Sequence, residues 1–224
     1  GAEKLEVFAA GKFVVPPGKN AIIHLCKKMS IDEYPSCKVV DTSSDSKEVF
    51  NVKPSASQGR STLFDAIGNP VFAVTKRCEQ LSDVPSIYTV DEAGAVKDEL
   101  FQVAKTSKHK SRNVHGQTAT LETMGGKSIE LNGTLDVFGC VTGRKKSKGG
   151  HICLGDMGTG TPIAKLVNPN ERPDLNLQRP TGKAPDDYLL EVAPGVDMTL
   201  ILAMVLAWNV LETCDREWEN RYAG

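Results

Sequence analysis

Two clusters of cations stand out in the sequence as candidate anion-binding groups. Lys105, Lys108, His109, Lys110 and Arg112 form one run, and Arg144, Lys145, Lys146 and Lys148 form a second inside GRKKSKGG (143–150). Ammonium and guanidinium groups this close together recognise anions. Near an anionic membrane each Lys or Arg contributes ~1 kcal/mol, an attraction that fades within a Debye length. Anionic phospholipid headgroups are therefore the ligand class that Lys105, Lys108, Lys110, Arg112, Arg144, Lys145, Lys146 and Lys148 fit best. Nucleic acid fits poorly, because no aromatic side chains that would stack bases are interleaved with these cations. The plainer alternative is a pair of solvated loops.

Signatures of covalent or metal chemistry are missing. The chain holds no G-x-S-x-G nucleophile elbow and no H-E-x-x-H, and His24, His109, His115 and His151 are scattered. Gly126-Lys127-Ser128 ends like a P-loop, but Leu121 stands where the first glycine belongs and strand-like sequence follows. The run 155–160 lacks the dinucleotide-binding spacing and leads into Pro162-Ile163. The expectation is a protein that is not an enzyme and carries no cofactor or metal.

Composition narrows the class. With 224 residues, a formal net charge of −1, 25% charged and 40% hydrophobic residues, the chain has material for a folded core and is not a globally basic polyanion binder. Residues 1–15 show no basic-plus-apolar signal pattern, which predicts a cytoplasmic protein, peripheral at membranes if the basic runs bind lipid. Six cysteines form no C-x-x-C, which argues for buried thiols over a zinc module. Cys26 with Cys37, and Cys140 with Cys153, each flank a loop, so a cross-strand disulfide in either pair is the alternative in an oxidising compartment.

The loops must hang on something, and the sequence reads as a series of hairpins. Short β-favouring runs at 13–15, 21–26, 38–41 and 49–52 are followed by sharper ones at 63–65, 71–75, 87–91, from 96, 118–122, 128–131, 134–141, 152–156, 161–167 and 187–192. In three places, at Asp65, Asp91 and Asp156, an aspartate closes an apolar strand and a glycine follows within three residues. Carboxylate bonding to the turn backbone and positive φ at glycine explain that pattern better than metal ligation. Gly125-Gly126 and Asn132-Gly133 read as further hairpin turns, the latter also forming a glycosylation sequon with Thr134. Residues 1–12 precede any readable element and leave room for disorder, and 168–185 is a long loop with four prolines.

The final apolar stretch, 198–211 (MTLILAMVLAWNVL), has no polar face, so it must be buried all round. Pro194-Gly195 form a turn before it, Asp197 is placed as N-cap, and Val196 is placed to staple against Ile201. Counted to Cys214 the helix is roughly 25 Å long, short of the ~20 apolar residues of a membrane span. Packing many strands against one all-apolar helix predicts a single domain over 1–224, mainly β, in which a closed antiparallel sheet surrounds the helix and the charged tail 212–222 emerges into water.

The turn 64–70 (FDAIGNP), the strand 135–141 (LDVFGCV), Gly155-Asp156 with Ala164-Lys165, and the passage from Asp187-Tyr188 through Val192-Ala193-Pro194-Gly195-Val196-Asp197 into the helix resemble the LURP-one-related family over 60–214. That family is grouped with tubby C-terminal-like proteins and phospholipid scramblases. The resemblance implies a barrel of about twelve strands threaded by the C-terminal helix, and phosphoinositide binding or scramblase-like lipid handling as functions. Tubby's headgroup residues and a scramblase calcium site find no matching positions here. A protein-interaction scaffold, defence- or stress-related, is the competing expectation.

Thiol status tests the compartment. If the cysteines are core residues of a reduced protein, alkylation in denaturant without reductant labels all six. A mass deficit at Cys140 and Cys153 identifies a cross-strand bridge instead.

Overall fold

An apolar helix with no polar stripe needs an envelope, and the chain supplies it from strands on both sides of the first one. The computed structural model describes residues 5, 7, 11–28, 36–41, 47–55, 59–75, 84–106, 114–136, 149–156, 158–175 and 188–222. In chain order the strands are β1 (Ala21–Lys28), β2 (Ser36–Asp41), β3 (Lys47–Ser55), β4 (Arg60–Asp65), β5 (Pro70–Thr75), β6 (Ser86–Val90) and β7 (Val96–Gln102). They continue as β8 (Ala104–Thr106), β9 (Val114–Glu122), β10 (Ser128–Asp136), β11 (Gly149–Leu154), β12 (Thr161–Val167) and β13 (Tyr188–Val192). Helix α1 (Met198–Tyr222) follows. All thirteen strands join one antiparallel sheet in the order β7-β6-β5-β4-β3-β2-β1-β13-β12-β11-β10-β9-β8. Two meanders are thus sewn together where Ala21 to Leu25 pair with Val192 to Tyr188.

The expected closed ring of hydrogen bonds is not what forms. The ladder is open between its edges, β7 and β8, which are successive parts of one extended run interrupted at Val103. The first part pairs with β6 and the second with β9, while the N–H of Val103 turns to the carbonyl of Pro85 at 3.0 Å. A single run that changes partner at its midpoint cannot be paired on both sides along its length. This split also makes the count thirteen rather than twelve. Backbones of β7 and β9 nonetheless approach within 8 Å.

Helix α1 occupies the inside of this curved sheet. Residues 199–209 are all buried, with Leu200, Ile201, Leu202, Ala203, Met204 and Ala207 at 0% exposure. The inward sheet residues that meet this core include Phe50, Leu63, Phe72, Ile87, Leu131, Ile152 and Leu190. Fully burying each large apolar side chain contributes roughly 1.5–3 kcal/mol, and the sheet supplies such residues from nearly every strand. The helix continues past Leu211, where the apolar run ends, and past Cys214, to which its length is counted, as far as Tyr222. No helix among the described residues is long and apolar enough to cross a membrane.

The helix starts as the sequence indicates. Asp197, itself 0% exposed, accepts the N–H of Thr199 at 2.9 Å and the Thr199 hydroxyl through Oδ1, and the N–H of Val7 at 3.3 Å through Oδ2. Two N-terminal pieces grip the same turn: Leu5 N–H donates to Gly195 O, Val15 N–H to Val196 O, and Met198 N–H to Phe13 O. Leu5 is buried within the stretch whose composition left room for disorder. Lys12 extends this belt to the β4–β5 hairpin through a 2.7 Å ion pair with Asp65.

Asp65 and Asp91 are turn residues of one design. Oδ1 of Asp65 accepts the N–H groups of Ile67 (3.1 Å) and Asn69 (2.8 Å), and Oδ1 of Asp91 accepts those of Ala93 (3.1 Å) and Ala95 (2.8 Å). Gly68 and Gly94 sit at φ 90° and 78°, where a side chain would be strained. Thr123 replaces the aspartate in the β9–β10 turn, its hydroxyl accepting the Lys127 N–H at 3.2 Å. Asp156 accepts the N–H of Gly158 at 3.0 Å. None of these carboxylates needs a metal to explain it.

Asn132-Gly133 is a correction. The pair lies inside β10, not in a turn, so the two expected strands 128–131 and 134–141 run together over the described part. Gly133 is there for space: an added Cβ would lie 3.0 Å from Nε2 and 3.1 Å from Cγ of the buried Gln117 opposite it. The Asn132 amide nitrogen donates to Glu130 Oε1 at 2.8 Å and to the Gly155 carbonyl at 3.0 Å, and the residue is buried. It is no glycan acceptor in the folded protein. The register also moves Cys26 and Cys37 out of alignment, pairing them with Lys38 and Lys27 respectively, one step from where a cross-strand bridge would need them. Cys153 is a buried free thiol, its pKa pushed up by burial, and Cys140 lies outside the described residues.

Two stability predictions follow from this packing. Ala203→Arg or Leu206→Asp places an unpaired charge in the core at a cost of several kcal/mol, comparable with a domain's whole stability, so neither variant yields soluble, cooperatively unfolding protein. Burial works to raise the Asp65 pKa, but hydrogen bonds from Lys12 and Asn69 outweigh it and hold the carboxyl below its usual value. A depressed folded-state pKa stabilises the fold above the unfolded value of about 3.9 and is lost as pH falls through the lower folded one. Urea midpoints between pH 7 and pH 3 should therefore fall more steeply for the wild type than for Asp65→Asn, and parallel curves would remove Asp65 from the acid response.

Candidate functional site

The two basic runs belong to connections between neighbouring strands. The first lies between β8 and β9 and the second between β10 and β11, and these four strands are consecutive in the sheet. Val114 at the start of β9 pairs with Asp136 at the end of β10, which pairs in turn with Gly149 at the start of β11. Thr106 at the end of β8 pairs with Gly116 of β9. Both connections therefore leave from the same end of the sheet, anchored on strands spanning roughly 14 Å at ~4.8 Å per strand. Neither 107–113 nor 137–148 contains an aspartate or glutamate, so the cations are not neutralised from within their own segments.

Of the candidate headgroup residues, Lys105 is described: it is exposed on β8, opposite Gln117. Lys108, Lys110, Arg112, Arg144, Lys145, Lys146 and Lys148 lie outside the described residues. Chain connectivity still ties Lys148 to Gly149 at the first position of β11, since successive Cα atoms are about 3.8 Å apart. Lys105 stands three strands away from β11.

A concavity of about 590 Å³ adjoins that point, running across β11, β12 and β13. His151, Lys165 and Glu191 form a row in register along it. Glu171 adds a wall to it from the turn Pro169–Glu171, which is started by Asn168, whose side chain accepts the Asn170 N–H at 2.8 Å. Arg172 pins this wall to the sheet: its guanidinium donates to Glu191 on β13 and, through Nε (2.9 Å) and an Nη (2.8 Å), to Asp174. Hydrogen bonds to Asp174 first, and then to Glu191, push the Arg172 pKa upward, and the same contact with Arg172 lowers that of Asp174. Sequence reading missed this site because its residues come from five separated segments. The available signal was the glycine pair 149–150, which reads as the tail of the basic loop and instead opens β11.

Among the described residues no group of three His, Cys, Asp or Glu side chains could hold a metal ion. His24 is buried on β1 and His151 is exposed on β11, so these two histidines do not converge.

Comparison with known proteins places these features in context. No curated protein matches the sequence. A solved X-ray structure of a protein from Arabidopsis thaliana is similar at 13% identity and a TM-score of 0.47, covering 96% of this chain and 99% of that one. The LURP-one-related family model matches residues 23–209, from the first strand through the buried part of the helix, and the chain belongs to the LURP-one-related family.

Proposed function

We propose that this protein is a non-enzymatic, tubby-like binding module that engages anionic phospholipid or phosphoinositide headgroups through its two basic connections. The observation that carries the reading is the register Val114–Asp136–Gly149, which brings the anchors of both cationic segments side by side at one end of the sheet. At physiological ionic strength a Debye length is ~8 Å, so charges hung from adjacent strands act on one ligand together. With ~1 kcal/mol per Lys or Arg near an anionic surface, such a patch is enough for reversible peripheral attachment. The sheet's wrap around α1 then serves as a rigid mount, and the headgroup specificity resides in the connections.

A protein-interaction scaffold is the second reading. It is favoured by two large apolar side chains left outside the core at hairpin tips, Ile67 at 82% and Met124 at 58% exposure.

Liposome sedimentation separates them. Vesicles carrying phosphoinositide should bind the protein in a salt-sensitive manner, and replacing Lys145, Lys146 and Lys148 with Ala should weaken binding. Exposed loop substitutions change stability by less than about 0.5 kcal/mol, so the thermal midpoint should hardly move. Equal sedimentation of wild type and variant, or none at low salt, rejects the headgroup reading in favour of the scaffold.

A further inference from the structure

The groove across β11, β12 and β13 carries charged groups that the fold does not use. His151 and Lys165 are paired in register and exposed, and among the described residues neither side chain has a hydrogen-bond or ion-pair partner. Glu171, which lines the same groove, is also exposed and has no side-chain partner among the described residues. Glu191 differs, because Arg172 already neutralises it. That Arg172 contact also fixes the wall, so the space is formed before any ligand arrives, which lowers the ordering cost of binding.

Among the described residues, nothing crowds one glycine that lines the groove. Gly149 does not have positive φ, and a Cβ there would meet nothing closer than the Leu166 carbonyl at 4.0 Å. Glycine in a strand weakens it and often marks a place where a ligand approaches closely. Here its effect is to leave the groove open beside His151.

The distribution of charge selects the ligand. An anion drawn to Lys165 and His151 would also face Glu171, and a cation drawn to Glu171 would face Lys165. We propose that the groove binds a small zwitterion of the amino-acid or short-peptide class, its carboxylate held by Lys165 and His151 and its ammonium by Glu171. The opening of about 590 Å³ lies within the ~300–1,000 Å³ typical of small-ligand sites. This proposal is independent of the headgroup reading, which concerns the connections at the strand ends.

The probe is trialanine with free termini, titrated into the ¹⁵N-labelled full chain, with N-acetyl-trialanine and trialanine amide as controls. Saturable shifts of the Gly149, His151, Lys165 and Glu171 amides are expected for trialanine. Each terminus is held by a charge-assisted hydrogen bond, so blocking either terminus, or Lys165→Ala, should weaken binding about tenfold or more. Gly149→Leu should fill the groove and abolish the shifts. Lys165→Ala is exposed and leaves the thermal midpoint in place, which separates loss of binding from loss of fold. Absence of saturable shifts with trialanine, or shifts indifferent to the blocked termini and to Lys165→Ala, would overturn the proposal.

Discussion

Burial of a helix that has no polar side is the constraint on which the rest depends. From Thr199 to Asn209 every residue of α1 is inside, and no flat sheet could cover it all round. The antiparallel meander has to curl, and its two halves have to meet. They meet twice: through the β1–β13 ladder, and through the run 96–106, which leaves β6 for β9 at Val103. Curling also shelters the unpaired edges that a long open sheet would offer to other chains.

Threading a helix into such a space creates a problem at its first turn, where backbone N–H groups lack partners. Asp197 answers it, with Oδ1 on Thr199 and Oδ2 on Val7. A carboxylate at 0% exposure would be costly without such bonds, so the N-terminal belt and the cap are one unit. The ion pair between Lys12 and Asp65 then joins that unit to a hairpin tip, so the chain's first residues secure the beginning of its last element.

The rigid body leaves two features for recognition, with different physics. At one end of the sheet begin and end two connections whose sequences hold cations and no aspartate or glutamate, which is what the proposed attraction to a diffuse anionic surface uses. On the face of β11, β12 and β13, the groove presents charges of both signs at set positions, suited to a small ligand of defined shape. Both meet at Gly149, the residue that ends one and opens the other.

Much of this was legible in the sequence because it rests on local rules. The apolar run 198–211, the cap at Asp197, most strand positions (the expected run 13–15 forms only an isolated bridge from Val14 to Asp197), and the Asp-plus-glycine turns at 65 and 91 follow from side-chain periodicity, capping and backbone conformation, which act over a few residues. The same rules misread Asn132-Gly133, because a glycine that makes room for Gln117 on the next strand is locally identical to a glycine that makes a turn. Register was equally invisible, so the offset of Cys26 from Cys37 and the partner change at Val103 emerged only with the pairing. Beyond the glycine pair 149–150 the groove left no sign in the sequence, since Gly149, Lys165, Glu171 and Glu191 approach one another only after three strands align and Arg172 ties down the wall. Sequence alone determined which elements form and which one must be buried, because local conformational preference and hydrophobicity are properties of short stretches. The tertiary structure alone decided which distant side chains share a surface, because that depends on register and sheet curvature, which are set when the whole core packs.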